Sequence, residues 1–118
     1  MSALSAGTLD KRIRFQRPFM VKDSLGAPRR EWVDAVTVWA NIEPLSARDL
    51  ISAQRISNEI SHIITVRFQS AFSNAALVSE YRALYKNRVF RIFGAINEGE
   101  QGVLVTLWAA EGLDDGQT

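Results

Sequence analysis

The chain has 118 residues, 47% of them hydrophobic and 23% charged, with a net charge of +1. That balance predicts one compact domain over residues 1–118 and excludes disorder along the whole length. The absence of cysteine excludes disulfides, thiolate metal sites and cysteine nucleophiles.

Residues 9–17 place Leu9, Ile13 and Phe15 on one parity and Asp10, Arg12, Arg14 and Gln16 on the other. This is the alternation of a half-buried strand, which Pro18 is expected to end because it has no N–H to donate. Residues 22–28 are rich in turn formers and predict a hairpin loop. A second, longer strand follows over residues 30–42, with Trp32, Val36, Val38, Ala40 and Ile42 on the even positions and a bulge expected at Asp34-Ala35. Trp32 and Trp39 have opposite parity in it, so at most one is expected to face a barrel core. Ser46 then offers an N-cap, with Asp49 favourably charged in the first turn of a short helix that ends near Ser57-Asn58. Residues 59–68 return to period two through Ile60, His62, Ile64, Val66 and Phe68, and residues 69–75 form a connection. Strands are predicted over 77–85, 89–96 and 103–110, with a turn at Asn97–Gly102; Glu111 onward is expected to fray, as are residues 1–8. The fold class is mainly β, a small antiparallel barrel of about six strands with one short α-helix after the second strand.

Charge is blocked along the chain. Residues 1–32 carry seven basic and three acidic groups, whereas residues 94–118 carry five acidic groups and no basic one. Such a chain attracts copies of itself or a charged partner, although a solvated surface has the same pattern. Catalysis has little to work with. The single histidine, His62, lies on an apolar parity and reads as a packed histidine, with no nucleophile or carboxylate fixed beside it. No metal or cofactor is expected, since one His and no Cys leave only carboxylates as ligands, without a loop pattern to gather them. No apolar run approaches the roughly 20 residues that span a bilayer. The opening residues lack a basic leader, so no secretory signal or membrane partner is expected and the cytoplasm is the default.

Arg12, Arg14, Arg29, Arg30, Arg67, Arg82, Lys86, Arg88 and Arg91 are interleaved with aromatic residues. This pattern supports an alternative reading, a small OB-like module for single-stranded nucleic acid, although most of those aromatics fall on the inward parity. A protein-interaction barrel is a third reading.

The order of segments carries a resemblance. Gly7-Thr8-Leu9-Asp10-Lys11-Arg12-Ile13-Arg14-Phe15-Gln16-Arg17-Pro18 resembles the opening of the phage head–tail joining (head-closure, or stopper) family. Asp23-Ser24-Leu25-Gly26-Ala27-Pro28, Trp32 and Val38-Trp39-Ala40-Asn41-Ile42-Glu43-Pro44-Leu45-Ser46 resemble its next block. Arg48-Asp49 and Ala53 look like its short helical segment, Ile64-Thr65-Val66-Arg67-Phe68 its Ile-x-Ile-Arg-Tyr strand, and Asn87-Arg88-Val89-Phe90-Arg91-Ile92 its Gly-Arg-x-Tyr-x-Ile strand. Ala47 departs from the family's glycine, and residues 72–80 match poorly.

The resemblance implies a virion protein at the head–tail neck, assembled in the host cytoplasm. It would form a six- or twelve-fold ring of its own copies, with portal and adaptor proteins above, tail proteins below and double-stranded DNA in the channel. No catalytic residue is carried over. The expected contact surfaces are the Ser46–Ser57 helix, the loop around Asp23–Pro28 and both termini, with a tryptophan of the second strand as a subunit-interface candidate; the candidates are Asp23, Gly26, Trp39, Arg48, Asp49, Leu50, Ile51, Gln54 and Arg55.

Overall fold

The computed structural model describes residues 9–95 and 104–112. Six strands close into an antiparallel barrel: β1 (Lys11–Lys22), β2 (Pro28–Pro44), β3 (His62–Arg67), β4 (Arg82–Tyr85), β5 (Arg88–Ala95) and β6 (Leu104–Glu111). Their order around the wall is β1-β2-β3-β6-β5-β4. Helix α1 (Ala47–Gln54) follows β2, and a 3-10 turn (Ser70–Phe72) and a short helix α2 (Ala75–Val78) stand between β3 and β4. The expected turn at Asn97–Gly102 and residues 1–8 lie outside the described residues.

The alternation in the sequence sets the inside of the barrel. Ile13 and Phe15 of β1, Val38 and Ala40 of β2, Ile64 and Val66 of β3, and Phe90 and Ile92 of β5 are buried together with Val105 and Leu107 of β6. Phe15 meets Phe72 edge-on, with ring centroids 5.1 Å apart, and Tyr81 donates its hydroxyl proton to the Ala71 carbonyl at 2.6 Å. The connection after β3 therefore closes one end of the barrel with aromatic rings. A second cluster lies outside the wall, where Ala53 of α1 packs with Ile60, Ile63 and Trp108. This explains why β6 is apolar on both parities and why Ile63 stands on the otherwise polar parity of β3.

Four expectations are corrected. Strand β1 does not end at Pro18 but continues to Lys22. Beyond Gln16 it has β2 on one side only, because its pairing with β4 covers Arg14 to Gln16. A proline on that open edge leaves no ladder donor missing. The segment 77–85 is not one strand, since Leu77 and Val78 belong to α2. The N–H groups of Ala76 and Leu77 donate to the Asn74 side chain, at 2.9 and 3.2 Å, and start that helical turn.

The third correction concerns the indoles. The β1–β2 register moves from Phe15–Val36 to Gln16–Asp34, so Ala35 is the extra residue of a bulge at the expected place. The bulge reverses parity, and Trp32 and Trp39 consequently lie on the same, outer face. Glu111 is likewise not frayed. It ends β6, and Gly112 donates its N–H to the Val89 carbonyl at 3.1 Å. A second irregularity falls between Ile92 and Gly94, and Gly94 takes φ +141°, a backbone region that side chains with a Cβ rarely adopt.

Phe15→Ala is expected to destabilise the barrel by roughly 3–5 kcal/mol, the cost of an aromatic-sized core cavity. Urea denaturation of the two proteins measures the difference.

Candidate functional surfaces: arm, helix and outer wall

Past Gln16 and Asp34 the first two strands leave the barrel and run on as a two-stranded arm, from Arg17–Val33 to Lys22–Pro28. The arm contributes to a molecule 52 Å long and under 30 Å wide. Its tip is tightly built. The N–H groups of Leu25 and Ala27 both donate to the Asp23 carboxylate at 2.9 Å, and Gly26 turns the chain at φ +86°. Asp23 and Gly26 thus shape the tip. The tip exposes Leu25 fully to solvent, and Phe19 and Met20 are about half exposed on opposite faces of the arm. Leu25 lies in the loop expected to face partners, whereas Phe19 and Met20 are not among the sequence candidates. Their signal was present: large apolar residues next to a turn, beyond the last residue that faces the barrel.

The base of the arm is locked by polar side chains on its outer face. Gln16 Nε2 donates to Asp34 Oδ1 at 2.9 Å, Arg82 Nε donates to Gln16 Oε1 at 2.9 Å, and Arg14 lies 3.5 Å from Asp34. The Arg82 guanidinium sits over the Trp32 ring at 4.4 Å, and Arg30 approaches it at 5.7 Å. The Trp32 indole N–H is buried and without a hydrogen-bond acceptor.

Helix α1 is built as the sequence indicates. Asp49 N–H donates to Ser46 Oγ at 3.1 Å while Ser46 Oγ–H donates to the Asp49 carboxylate at 3.0 Å, a reciprocal cap. Ala53 is buried against the barrel wall, whereas Leu50 and Ile51 are exposed. At helical spacing Ile51 lies opposite Ala53 with Arg48 and Arg55 beside it, and Leu50 and Gln54 share one flank. Of the sequence candidates, Arg48, Leu50, Ile51, Gln54 and Arg55 therefore form one outward surface, with Asp49 in the cap. Trp39 lies elsewhere, on the barrel wall, half exposed beneath the Arg12 guanidinium at 5.1 Å.

At the barrel end opposite the arm, His62 is not isolated. Ser61 Oγ lies 2.8 Å from His62 Nδ1, and Glu111 Oε1 lies 3.8 Å from His62 Nε2. Arg88 holds both oxygens of Glu111, at 2.9 and 3.0 Å. The residue types are those of a hydrolytic triad, but the geometry is that of a strand clasp. Ser61 Oγ already accepts the Glu111 N–H at 3.0 Å, and the His62 ring meets Phe90 edge-on at 5.5 Å. The carboxylate contact is also too long for a hydrogen bond. Burial pushes the His62 pKa below 6.5, and Arg88 adds to that effect while Glu111 opposes it. The hydrogen bond from Arg88 holds the Glu111 carboxyl below 4.5.

The described residues form a closed barrel with a packed interior, an outreaching arm and an external helix. The chain belongs to the phage head completion protein family, whose model matches residues 4–112. It is thus a structural protein of the phage head and of the virion. Among solved structures it is similar to protein SF1141 from Shigella flexneri 2a, with 22% identity and a TM-score of 0.69 over 94% of this chain and 99% of that one. A chain of the virion of a native gene transfer agent particle is also similar, with 17% identity and a TM-score of 0.53 over 86% of this chain and 92% of that one. At those identities the likeness concerns the fold. No curated protein matches the chain. Among the described residues no helix is long and apolar enough to cross a membrane, and no group of three or more acidic or histidine side chains gathers at a metal-binding spacing.

The clasp predicts a pH dependence. Because the folded His62 has a lowered pKa, the unfolded chain binds its proton first as pH falls. The contribution is complete above about pH 6.5 and is lost as pH falls through the lower, folded value. Thermal unfolding measured between pH 7.5 and 5 should show this decline, and His62→Gln should flatten it.

Proposed function

We propose that the protein closes the DNA-filled head and joins it to the tail, as a ring of identical copies beneath the portal and adaptor. The observation that carries this reading is the pair of apolar surfaces a folded, closed barrel leaves in solvent. One is the arm tip with Phe19, Met20 and Leu25, and the other is the outer face of α1 with Leu50 and Ile51. Exposed large apolar residues flanked by arginine fit protein–protein contact surfaces. Head-to-tail contacts between two different patches of one chain generate rings when the rotation closes. Family membership and the presence of a similarly folded chain in a gene transfer agent virion support the setting.

In this reading the protein acts through geometry instead of turnover. Tail proteins and neighbouring copies dock on the arm and helix, and DNA passes along the channel without its sequence being read. Asp23 and Gly26 contribute by holding the tip in shape, and Asp49 by fixing the start of α1. An isolated subunit has few contacts to offer, and a preformed ring above it supplies many at once, so docking onto the portal side drives assembly.

The test is Leu50→Asp with Ile51→Asp. Deleting the whole helix is less informative, because Ala53 covers Trp108. The double variant is expected to keep the far-ultraviolet spectrum and melting behaviour of the parent. Each lost apolar anchor weakens joining by about 2 kcal/mol, roughly 30-fold. Filled heads without tails should then accumulate in electron micrographs of lysates. Tailed, infectious particles at parental yield overturn the role of α1 in joining.

A further inference from the structure

Helix α1 turns a stripe of side chains away from the barrel that nothing among the described residues covers. Arg48, Ile51 and Arg55 stand at i, i+3 and i+7, on one side of the helix and opposite the buried Ala53. The stripe is about 10 Å long, basic at both ends and apolar between them. Ile51 is 66% exposed, and Leu50 and Ile56 are about half exposed. Neither arginine has a carboxylate partner among the described residues. Three carboxylates of this part of the fold are engaged elsewhere: Asp49 in the helix cap, Glu59 at 3.5 Å from Arg91, and Glu111 with Arg88.

The junction at Ser61 brings one further part of the chain to this helix. The Ser61 carbonyl accepts the Leu45 N–H at 3.1 Å, where the chain leads into α1. On its other side Ser61 donates its N–H to the Ala109 carbonyl at 2.9 Å, and its Oγ accepts the Glu111 N–H at 3.0 Å. The entry to α1 and the exit from β6 are therefore two strand spacings apart, roughly 10 Å. Ala53 packs on Trp108, which precedes Gly112 by four residues and so lies about 13 Å from it along β6. The wall positions that anchor the two ends of α1 thus lie within about 13 Å of Gly112. The sequence continues with Leu113, Asp114 and Asp115, which add about 10 Å of chain. They match the stripe in kind, one apolar residue and two acids against two arginines around an isoleucine. The other stretches outside the described residues do not. Residues 1–8 carry no acidic side chain, and residues 96–103 join β5 to the opposite end of β6.

We propose that the outer face of α1 is the docking site of the chain's own Leu113-Asp114-Asp115 segment. Leu113 covers Ile51 and Leu50, and the two aspartates meet the Arg48 and Arg55 guanidinium groups. The contact is intramolecular, so the high effective concentration of a short tether compensates for exposed ion pairs that are individually weak. The same face is the one assigned above to neighbouring proteins, and the proposal rests on that reading only for what displaces the segment. Shielding in the free subunit lowers the apparent affinity for any partner in proportion to the fraction of subunits left open.

The test is methyl NMR of the full chain at roughly 50 mM salt, where exposed charges are weakly screened. Nuclear Overhauser contacts are expected between the Leu113 methyls and those of Ile51 and Leu50. Asp114→Lys with Asp115→Lys should abolish them, and adding Arg48→Glu with Arg55→Glu should restore them by exchanging the charges. Unchanged Phe15 and Trp108 resonances show that the barrel is intact in each variant. In an equal mixture of labelled and unlabelled chains, filtered spectra should contain no contact between copies. The proposal is overturned if the parent shows no such contacts, if they survive the aspartate substitutions, or if the fourfold variant fails to restore them. Contacts found only between copies also overturn it and assign the segment to a second subunit. Joining of heads to tails is read separately by the charged α1 variant, so failure of either idea leaves the other standing.

Discussion

Closure of the barrel depends on a ladder of only three residue pairs, Arg14–Leu84, Phe15–Ala83 and Gln16–Arg82. The wall elsewhere is made of longer pairings, so this seam is where the cylinder opens or holds. Its inner side is Phe15 and Ala83, both fully buried, and its outer side is the chain of contacts from Asp34 through Gln16 to Arg82. Apolar burial drives the inner half, and polar groups with defined partners fix the register of the outer half. Because β1 pairs with β4 only as far as Gln16, everything beyond it is left as an arm. One short seam therefore sets both the closed body and the projecting part.

Much of this was legible in the chain itself. Ile13, Phe15, Val38, Ala40, Ile64, Val66 and Phe90 alternate with polar residues, and a pleated strand converts that alternation directly into inside and outside. Ser46 and Asp49 announced the helix for an equally local reason. The misreadings occurred where a local pattern has two physical solutions. Leu77 and Tyr81 are four residues apart, a spacing that satisfies a strand face and a helical turn alike. The Asn74 cap decides for the turn. Pro18 ends a central strand but not an edge, and which of the two applies depends on β4, sixty residues away.

The surfaces were less legible than the core. The helix face could be selected because amphipathic spacing leaves Ile51 opposite Ala53. The wall could not, since one inserted alanine exchanges the faces of every residue before it, and period-two reasoning carries Trp32 to the wrong side. Phe19 and Met20 were hidden for a related reason: a strand that outruns its barrel has no inside. The Ser61–His62–Glu111 clasp joins positions 50 residues apart, and no local spacing foretells it.

The arm also carries a hazard of its own. A two-stranded ribbon with apolar side chains and bare hydrogen-bonding edges is a template for edge-to-edge stacking into fibres. Pro18 interrupts the free edge of β1, Pro28 blunts the start of β2, and Lys22, Arg29 and Arg30 place like charges along the ribbon. These residues act as gatekeepers: the prolines interrupt the bare edges and the like charges repel a second ribbon, which discourages an endless series of stacked copies.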